Sequence, residues 1–337
     1  MASRRSKIAS GALIFLALVL AFAAWVMSGV SPTMKGKPYY IRYRKGATLH
    51  EALRDLQASG VIKNAWAAEL LAPLRHHSQK VAIGTYEFWP GMHFTAVLQA
   101  LSSPIRQMVR MPETNWARRS ANLLEMHEVA TADEYMAEVQ APVKYKSHVP
   151  FPIEGDSLEG YLFPDTYDFP PLLGAEEVVD RQLSAFNRKV WDAEKHPKNL
   201  RRALIVASLV ELEVKRDEER PIVAGVIENR LAKKMPLQLD ATVNYAKQKW
   251  GRLAIKELTS VKSPYNTYLN KGLPPGPICS PSIKSIEAAL HPAKHDYFYY
   301  VAMPDGHQIF AKTLEDHLHN IKLRKAAIAK LAGTPTK

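Results

Sequence analysis

Residues 203–214 read ALIVASLVELEV and carry the strongest structural signal of this 337-residue chain. The eight residues before Glu211 are all apolar or small, which predicts a helix over residues 200–214 that is buried on every side. A carboxyl group at the end of such a helix is partly desolvated, and burial favours its neutral form. General acid catalysis at neutral pH needs a protonated group of this kind. Glu211 is therefore the candidate catalytic residue.

A second interpretation places Glu211 at the exposed end of the helix. It would then form an ordinary surface pair with Lys215, four residues further on. In either case Glu213 points about 200° away from Glu211 on a regular helix. The two carboxylates would not face one substrate, so a hydrolase with two carboxylates would need a second group such as Asp240.

Two later segments combine polar and aromatic side chains. They are residues 238–245, QLDATVNY, and residues 263–278, SPYNTYLNKGLPPGPI, the second within a Pro- and Gly-rich stretch predicted to be an ordered loop. Polar side chains can hydrogen-bond sugar hydroxyls, and aromatic faces can cover sugar rings. Alternatively, the Asn and Thr side chains satisfy the backbone of the loop itself.

The N-terminal region is apolar between basic flanks. Residues 8–34 contain no charged side chain, and residues 11–30 read GALIFLALVLAFAAWVMSGV. A transmembrane helix needs roughly 20 mostly apolar residues, so this stretch predicts a single-pass anchor. The alternatives are a cleaved signal peptide, with the small-x-small pattern AFA at residues 21–23, and a buried core helix. The basic flanks do not decide orientation, because long domains translocate largely regardless of charge.

Composition narrows the possible partners. The chain has 45 Lys+Arg against 33 Asp+Glu, a net charge of +12 and one cysteine, Cys279. No intrachain disulfide or cysteine-rich metal site can form. The charge suggests an anionic partner: nucleic acid, membrane headgroups or an acidic polymer. No helix gathers the basic residues onto one face with aromatics, so nucleic acid is weakly supported. The common phosphate-loop, dinucleotide, nucleophile-elbow and HExxH motifs do not occur.

The remaining pattern predicts an α+β chain. Capping boxes begin helices after Thr48 and Thr131, and a hairpin is predicted around Pro304-Asp305-Gly306. Further helices are predicted over 65–75, 94–101, 221–233 and from 314 onward, and strands over 39–43, 83–88 and, weakly, 105–111.

Taken together, these motifs resemble the endolytic murein transglycosylases, the YceG-like or MltG-type membrane-anchored enzymes. The resemblance covers residues 38–325 and rests on the order and spacing of many short motifs. In chain order they are 84–86 (GTY), 90–92 (PGM), 159–167 (EGYLFPDTY), 207–213 (ASxxExE), 219–220 (ER), 229–231 (NRL), 237–243 (LQxDxTV), 263–268 (SPYNTY), 272–278 (GLPPGPI), 289–292 (AxHP) and Phe310 followed by His317.

The resemblance implies a domain order. It predicts a cytoplasmic tail at 1–7, a transmembrane helix at 8–30, a small LysM-like α+β module at 38–110, a mixed α/β catalytic domain at 111–325 and a basic tail at 326–337. It implies a single-pass protein of the inner (cytoplasmic) membrane with its C-terminal bulk in the periplasm or outside. The family's catalytic glutamate falls on Glu211. The candidate substrate-binding residues are Glu213, Gln238, Asp240, Thr242, Tyr265, Asn266 and Tyr268.

The implied reaction is cleavage of the β-1,4 bond between N-acetylmuramic acid and N-acetylglucosamine within peptidoglycan strands, without hydrolysis. It leaves 1,6-anhydro ends, terminates glycan strands and requires no metal or organic cofactor. The implied partners are peptidoglycan strands, the membrane and peptidoglycan synthases, with no nucleic acid. Two rivals stay open: a lysozyme-like hydrolase and a catalytically silent peptidoglycan-binding scaffold. A third, an intracellular basic binding protein, would keep the C-terminus in the cytoplasm.

Overall fold

The computed structural model describes residues 14–21, 24, 36–72, 80–89, 92 and 94–333. Within these residues the chain is α+β, as predicted, and its sheets are small. It divides into two units. The first comprises the described residues up to Met108 together with Asp168–Leu173, and the second comprises Val109–Tyr167 and the described residues from Gly174 onward.

The first unit combines helices and strands, and helices dominate the second. Up to β3, the elements are β1 (Tyr39–Tyr43), α1 (Leu49–Ala58), α2 (Ala65–Leu71), β2 (Gly84–Phe88), α3 (Phe94–Leu101) and β3 (Met108–Arg110). They are followed by α4 (Ala117–Met126), α5 (Ala132–Val139), α6 (Pro142–Tyr145), β4 (Thr166–Asp168), α7 (Ala175–Phe186), α8 (Leu200–Glu213), α9 (Arg220–Ala232), α10 (Asp240–Ala246), α11 (Ile255–Ser260), α12 (Ile283–Leu290), β5 (Tyr299–Ala302), β6 (Gln308–Ala311) and α13 (Leu314–Ala332). Strands pair as β1–β2, β3–β4 and β5–β6.

The first unit is held by an antiparallel β1–β2 pair and the apolar face of α1. Ile41 lies opposite Tyr86 across the pair. The helix begins with the predicted capping box, in which Thr48 and Glu51 each bond the other's backbone. The later segment Asp168–Leu173 joins this unit, where the Thr85 hydroxyl donates to the Pro171 carbonyl at 2.6 Å.

The centre of the second unit is α8. Every residue from Ala203 to Glu211 is buried, which confirms the helix that is apolar on all sides. It packs against α9, α10 and α12, so its apolar surface is covered by helices rather than by solvent. Each buried Leu, Ile or Val side chain contributes about 1.5–3 kcal/mol of transfer free energy, so burial of this helix stabilises the second unit strongly.

A close contact fixes the Pro- and Gly-rich loop against the segment that begins at Glu159. Gly160 has φ +87°, and a Cβ atom there would lie 2.5 Å from Pro277. Only glycine fits that position, because both the backbone conformation and the space exclude a side chain. The loop over residues 263–281 contains neither helix nor strand, as predicted.

Most other predicted elements are confirmed with shifted ends. The Thr131 capping box and the β5–β6 hairpin are present. The helix predicted over 65–75 ends at Leu71, and residues 73–79 lie outside the described part. The strand predicted over 105–111 is limited to β3.

The predicted anchor at 8–30 lies largely outside the described residues. Residues 14–21 and Ala24 are helical and exposed, and Phe15 and Leu18 are 69% and 64% exposed. Among the described residues, none of the helices has the length and apolar content needed to span a membrane.

Candidate active site

Glu211 lies in the last turn of α8 and is 8% exposed. Its Oε2 atom accepts hydrogen bonds from the Ser282 backbone N–H at 2.9 Å and from the Ser282 hydroxyl at 2.6 Å. The same oxygen lies 3.2 Å from Nη1 of Arg220, whose side chain is also buried. The interpretation that Glu211 is an exposed residue paired with Lys215 is therefore wrong. The helix end is covered by α9 and α12, which a local pattern does not reveal.

Arg220 is itself fixed on its other side. Its Nε donates to Asp217 at 3.0 Å and its Nη1 donates to the Ser285 hydroxyl at 2.5 Å. Asp217 also accepts a bond from Lys284, and these two cations lower the pKa of the Asp217 carboxyl group. The Glu211 carboxylate is thus the inner end of a network of charged groups with fixed orientation.

Ser282 adds a helix terminus to this site. It is the N-cap of α12, and its hydroxyl accepts from the Ser285 N–H at 3.3 Å while donating to Glu211. The N-terminus of a helix carries a partial positive charge, which favours a carboxylate beside it. Oε2 of Glu211 therefore meets the backbone N–H and the hydroxyl of Ser282 and the guanidinium of Arg220.

The second oxygen of Glu211, Oε1, is available to a ligand. In the described part of the chain, Oε1 has no hydrogen-bond partner, although the residue is buried. Glu211 lines a cavity of about 330 Å³. The other lining residues are Thr114, Arg119, Leu212, Glu213, Val214, Lys215 and Trp250. A group bound in this cavity can exchange a proton with Oε1 while Oε2 stays held.

Glu213 has different surroundings. Its Oε2 accepts a bond from the Tyr300 hydroxyl at 3.3 Å, and the residue lines both the Glu211 cavity and a second cavity of about 390 Å³. Burial, together with the negative charge of Asp240, raises the pKa of Glu213 to about 7 against the opposing effects of Tyr300 and Arg230. Both carboxylates thus border one cavity, whereas the regular-helix argument predicts that they cannot face one substrate.

The second cavity brings together four of the predicted binding residues, Glu213, Gln238, Asp240 and Tyr268. The Tyr268 hydroxyl donates to Asp240 at 2.7 Å. Arg230 also lines this cavity. Its guanidinium links two chain segments at the cavity, because it donates to the carbonyls of Phe298 and Leu237, each at 2.6 Å. The lining offers polar donors and acceptors suited to a hydroxyl-rich ligand.

Thr242 and Asn266 lie outside this group. Both are fully buried, and their side chains bond the protein's own backbone. The Thr242 hydroxyl donates to the Leu239 carbonyl at 2.7 Å, and the Asn266 amide donates to the carbonyls of Leu258 and Val261 at 3.0 and 2.9 Å. They hold the loop that carries Tyr268, which matches the alternative in which loop side chains satisfy the loop itself.

Tyr265, in the same loop, packs against Tyr245, with ring centroids 4.8 Å apart. The Tyr245 hydroxyl donates to Glu159 at 3.4 Å, and both Glu159 oxygens accept from the Ala117 N–H at the start of α4. Burial raises the pKa of Glu159 to about 8. Glu159 therefore fixes α4 and the aromatic residues beside it.

Sequence reasoning did not assign several residues of the site: Arg220, Arg230, Ser282, Tyr300 and Trp250. The signals were present for two of them, since Arg220 and Arg230 fall in the ER and NRL motifs. Ser282 and Tyr300 reach the site only through tertiary packing, and no local pattern marks them.

Comparison with known proteins defines the family. The model of the YceG-like family matches residues 41–323, so the chain belongs to the YceG-like family. An endolytic murein transglycosylase of Bacillus subtilis is 44% identical over 166 residues, which is 48% of this chain and 46% of that protein. An endolytic murein transglycosylase of Streptococcus pneumoniae is 30% identical over 350 aligned residues, covering 92% of this chain and 63% of that protein.

A solved structure shares the fold. The 2.6 Å crystal structure of a YceG-like protein from Listeria monocytogenes aligns with a TM-score of 0.57 at 28% identity, covering 84% of this chain and 98% of that one. The chain spans less than two thirds of the length of the Bacillus and Streptococcus relatives.

Proposed function

We propose that this protein is an endolytic peptidoglycan lytic transglycosylase that cleaves the β-1,4 bond between N-acetylmuramic acid and N-acetylglucosamine. The proposal rests on the different surroundings of the two carboxylate oxygens of Glu211. One carboxylate oxygen is held by Arg220 and Ser282, and the other is open to a cavity. The curated relatives named endolytic murein transglycosylase support the same activity.

The mechanism uses one carboxyl group twice. Oε1, the oxygen that Arg220 and Ser282 do not hold, first takes up a proton from solvent and then donates it to the leaving glycosidic oxygen as that bond breaks. The resulting carboxylate then takes the proton of the muramic C6 hydroxyl, whose oxygen attacks the anomeric carbon and closes a 1,6-anhydro ring. The intramolecular nucleophile replaces water, so no second carboxylate and no cofactor are needed. Arg220 and Ser282 keep the carboxyl group oriented through both transfers.

The second cavity binds the strand beside the scissile bond. Glu213, Gln238, Asp240 and Tyr268 supply its polar contacts, while Tyr265, Thr242 and Asn266 support the loop that carries Tyr268. Cleavage within strands makes the protein a terminator of glycan chains.

Two rivals make different predictions. A lysozyme-like hydrolase would use Asp240 as its second carboxylate, but Asp240 bonds Tyr268 in the second cavity and does not line the Glu211 cavity. A catalytically silent scaffold would need no open Oε1.

The test is mass analysis of the products that the purified full chain forms from uncrosslinked peptidoglycan strands. The proposal predicts anhydro ends, which are lighter than hydrolysed ends by one water molecule. It also predicts no new ends with Glu211→Gln, provided that this variant unfolds at the same temperature as the wild type. Hydrolysed ends would establish the hydrolase, and the absence of cleavage by the wild type would favour the scaffold.

The cell-envelope setting belongs to the same proposal. The apolar segment 8–30 would anchor the chain in the inner membrane, with the bulk in the periplasm or outside, where peptidoglycan lies. The exposed apolar side chains of residues 14–20 support it. The first unit would be the LysM-like module, and peptidoglycan synthases would be partners. A reporter fused after Lys337 that is active only outside the cytoplasm would support this topology, and activity inside would exclude it.

A further inference from the structure

An exposed indole forms one wall of the Glu211 cavity. Trp250 is 44% exposed and lines that cavity together with Glu211. Its ring centroid lies 5.9 Å from that of Trp116, at an interplanar angle of 37°. Trp116 is 3% exposed, so the pair has a buried inner ring and an accessible outer ring.

The inner ring is fixed by the interior of the second unit. Trp116 meets Tyr245 edge to face, with centroids 6.4 Å apart and planes at 85°. Tyr245 bonds Glu159, which also accepts the N–H of Ala117, the residue after Trp116. Because these contacts hold Trp116 from two sides, the support beneath Trp250 is set before any ligand arrives.

A cation lies beside the aromatic pair. The Arg119 guanidinium carbon is 5.2 Å from the centroid of the Trp116 ring, and the exposed Arg119 side chain lines the same cavity. No carboxylate within the described ranges forms an ion pair with it. Arg119 can therefore offer its guanidinium to an anionic group of a ligand, and guanidinium–carboxylate pairs are among the strong hydrogen-bonded contacts.

We propose that Trp250 and Arg119 form a subsite for one muramyl residue beside Glu211. The apolar C–H face of the sugar ring covers the indole of Trp250, and the carboxylate of the lactyl group, which is free in strands without stem peptides, pairs with Arg119. The two residues thus have separate roles, one in affinity and one in specificity. Trp250 binds any N-acetylated hexosamine ring, and Arg119 distinguishes muramic acid from N-acetylglucosamine. This assignment rests on the proposed function for the identity of the ligand.

The test measures binding, not cleavage, in full-length protein that carries Glu211→Gln. Two probes share a β-1,4 backbone: peptidoglycan strands freed of stem peptides, which carry free lactyl carboxylates, and chito-oligosaccharides of matched length, which carry none. Loss of stacking in Trp250→Ala should weaken both probes about tenfold. Arg119→Gln should weaken only the muramyl strand, and Arg119→Lys should restore part of that affinity.

Matched variants exclude a general loss of structure. Ile255→Ala removes an apolar side chain that is 87% exposed five residues further on, and Arg188→Gln removes an exposed cation from the same unit. Both should leave the two affinities unchanged, and Trp250→Tyr should retain most of the binding.

The subsite is overturned if Trp250→Ala leaves both affinities at the wild-type value, if Arg119→Gln weakens the two probes equally, or if neither probe binds the parent protein. Failure of the proposed activity has a different signature. In that case the wild type would not cleave, while the differential effects of the Trp250 and Arg119 variants would persist.

Discussion

Glu211 and Glu213 end the same helix two residues apart, yet their surroundings differ in kind. Glu211 meets a buried guanidinium and the capped N-terminus of α12, all directed at one oxygen. Glu213 accepts a bond from a tyrosine hydroxyl instead, and burial, with a contribution from the negative charge of Asp240, raises its pKa to about 7. The difference shows that helical spacing places a carboxyl group, whereas the neighbouring elements decide what it can do.

Glu211 and Glu213 also differ in how far removal of a hydrogen-bond or ion-pair partner should lower the free energy of unfolding. Breaking a buried ion pair leaves an uncompensated charge, whereas losing a neutral tyrosine hydroxyl removes one long hydrogen bond. The comparison can therefore be tested by changing the partners rather than the carboxylates.

The largest expected effect comes from Arg220→Met. It leaves Glu211 buried without its cation, so the free energy of unfolding should fall by about 3–5 kcal/mol. Urea denaturation of the full chain, followed by tryptophan fluorescence, measures this change. The double variant Arg220→Met with Glu211→Gln should recover most of the loss, because the unpaired charge is then absent.

Arg202→Met is the matched control for this change. Arg202 pairs with Glu228 at 2.6 Å, but it is 46% exposed, so its loss should cost no more than about 1 kcal/mol. Equal losses from Arg202→Met and Arg220→Met would contradict the distinction between the buried pair and the surface pair.

Glu159 extends the comparison to a third buried carboxyl group. Its pKa is set by burial and by two hydrogen bonds, from the Ala117 N–H and the Tyr245 hydroxyl, and not by a charged neighbour. Burial raises the pKa of Glu159 from its ordinary value of 4.5 to about 8 in the folded chain. The folded state then binds more protons between these values, so stability falls as pH rises from about 4.5 to 8.

Glu159→Gln should remove this contribution and flatten the dependence. Unfolding free energies measured at pH 5, 6, 7 and 8 test it against the wild type, with Glu138→Gln as a carboxyl control outside this cluster. An unchanged slope in Glu159→Gln would show that Glu159 does not titrate as its burial implies.

The smallest expected effect is that of Asp240→Asn on Glu213. Removing the Asp240 charge should lower the pKa of Glu213 below 7, but the value should stay above 4.5, because burial is the larger cause. Carbon NMR of labelled glutamate carboxyl groups follows the titration, and Glu213→Gln assigns the resonance. A pKa of Glu213 that does not move on this substitution would mean that Asp240 is not an effective neighbour.

Much of the fold could be predicted from sequence because its signals are local. The capping boxes at Thr48 and Thr131 and the all-round apolar pattern of α8 each lie within one helix and its cap. The membership of Asp168–Leu173 in the first unit was not predictable, since it depends on a contact between residues 86 positions apart, Thr85 and Pro171.

The candidate site divides in the same way. Glu211 could be named as a candidate from its helix, and Gln238, Asp240 and Tyr268 as candidates from two polar segments; the structure places all four on cavity walls. The partners that define Glu211 could not, because Arg220 and Ser282 lie 9 and 71 positions away and meet it only when α8, α9 and α12 pack together. From the local sequence alone, an exposed pair between Glu211 and Lys215 is as plausible as the buried pair between Glu211 and Arg220.

The most direct test of the account compares Glu211→Gln with Glu213→Gln in cleavage of the same uncrosslinked strands, with products counted by mass. Loss of the proposed acid and base should lower the rate with Glu211→Gln by on the order of 10³-fold. Glu213→Gln keeps Oε1 of Glu211 open and should retain cleavage at about a tenth of the wild-type rate or more, because the proposed mechanism assigns Glu213 to substrate binding and not to proton transfer. Equal and complete loss in both variants, or greater loss in Glu213→Gln, would contradict the assignment of the proton transfers to Glu211.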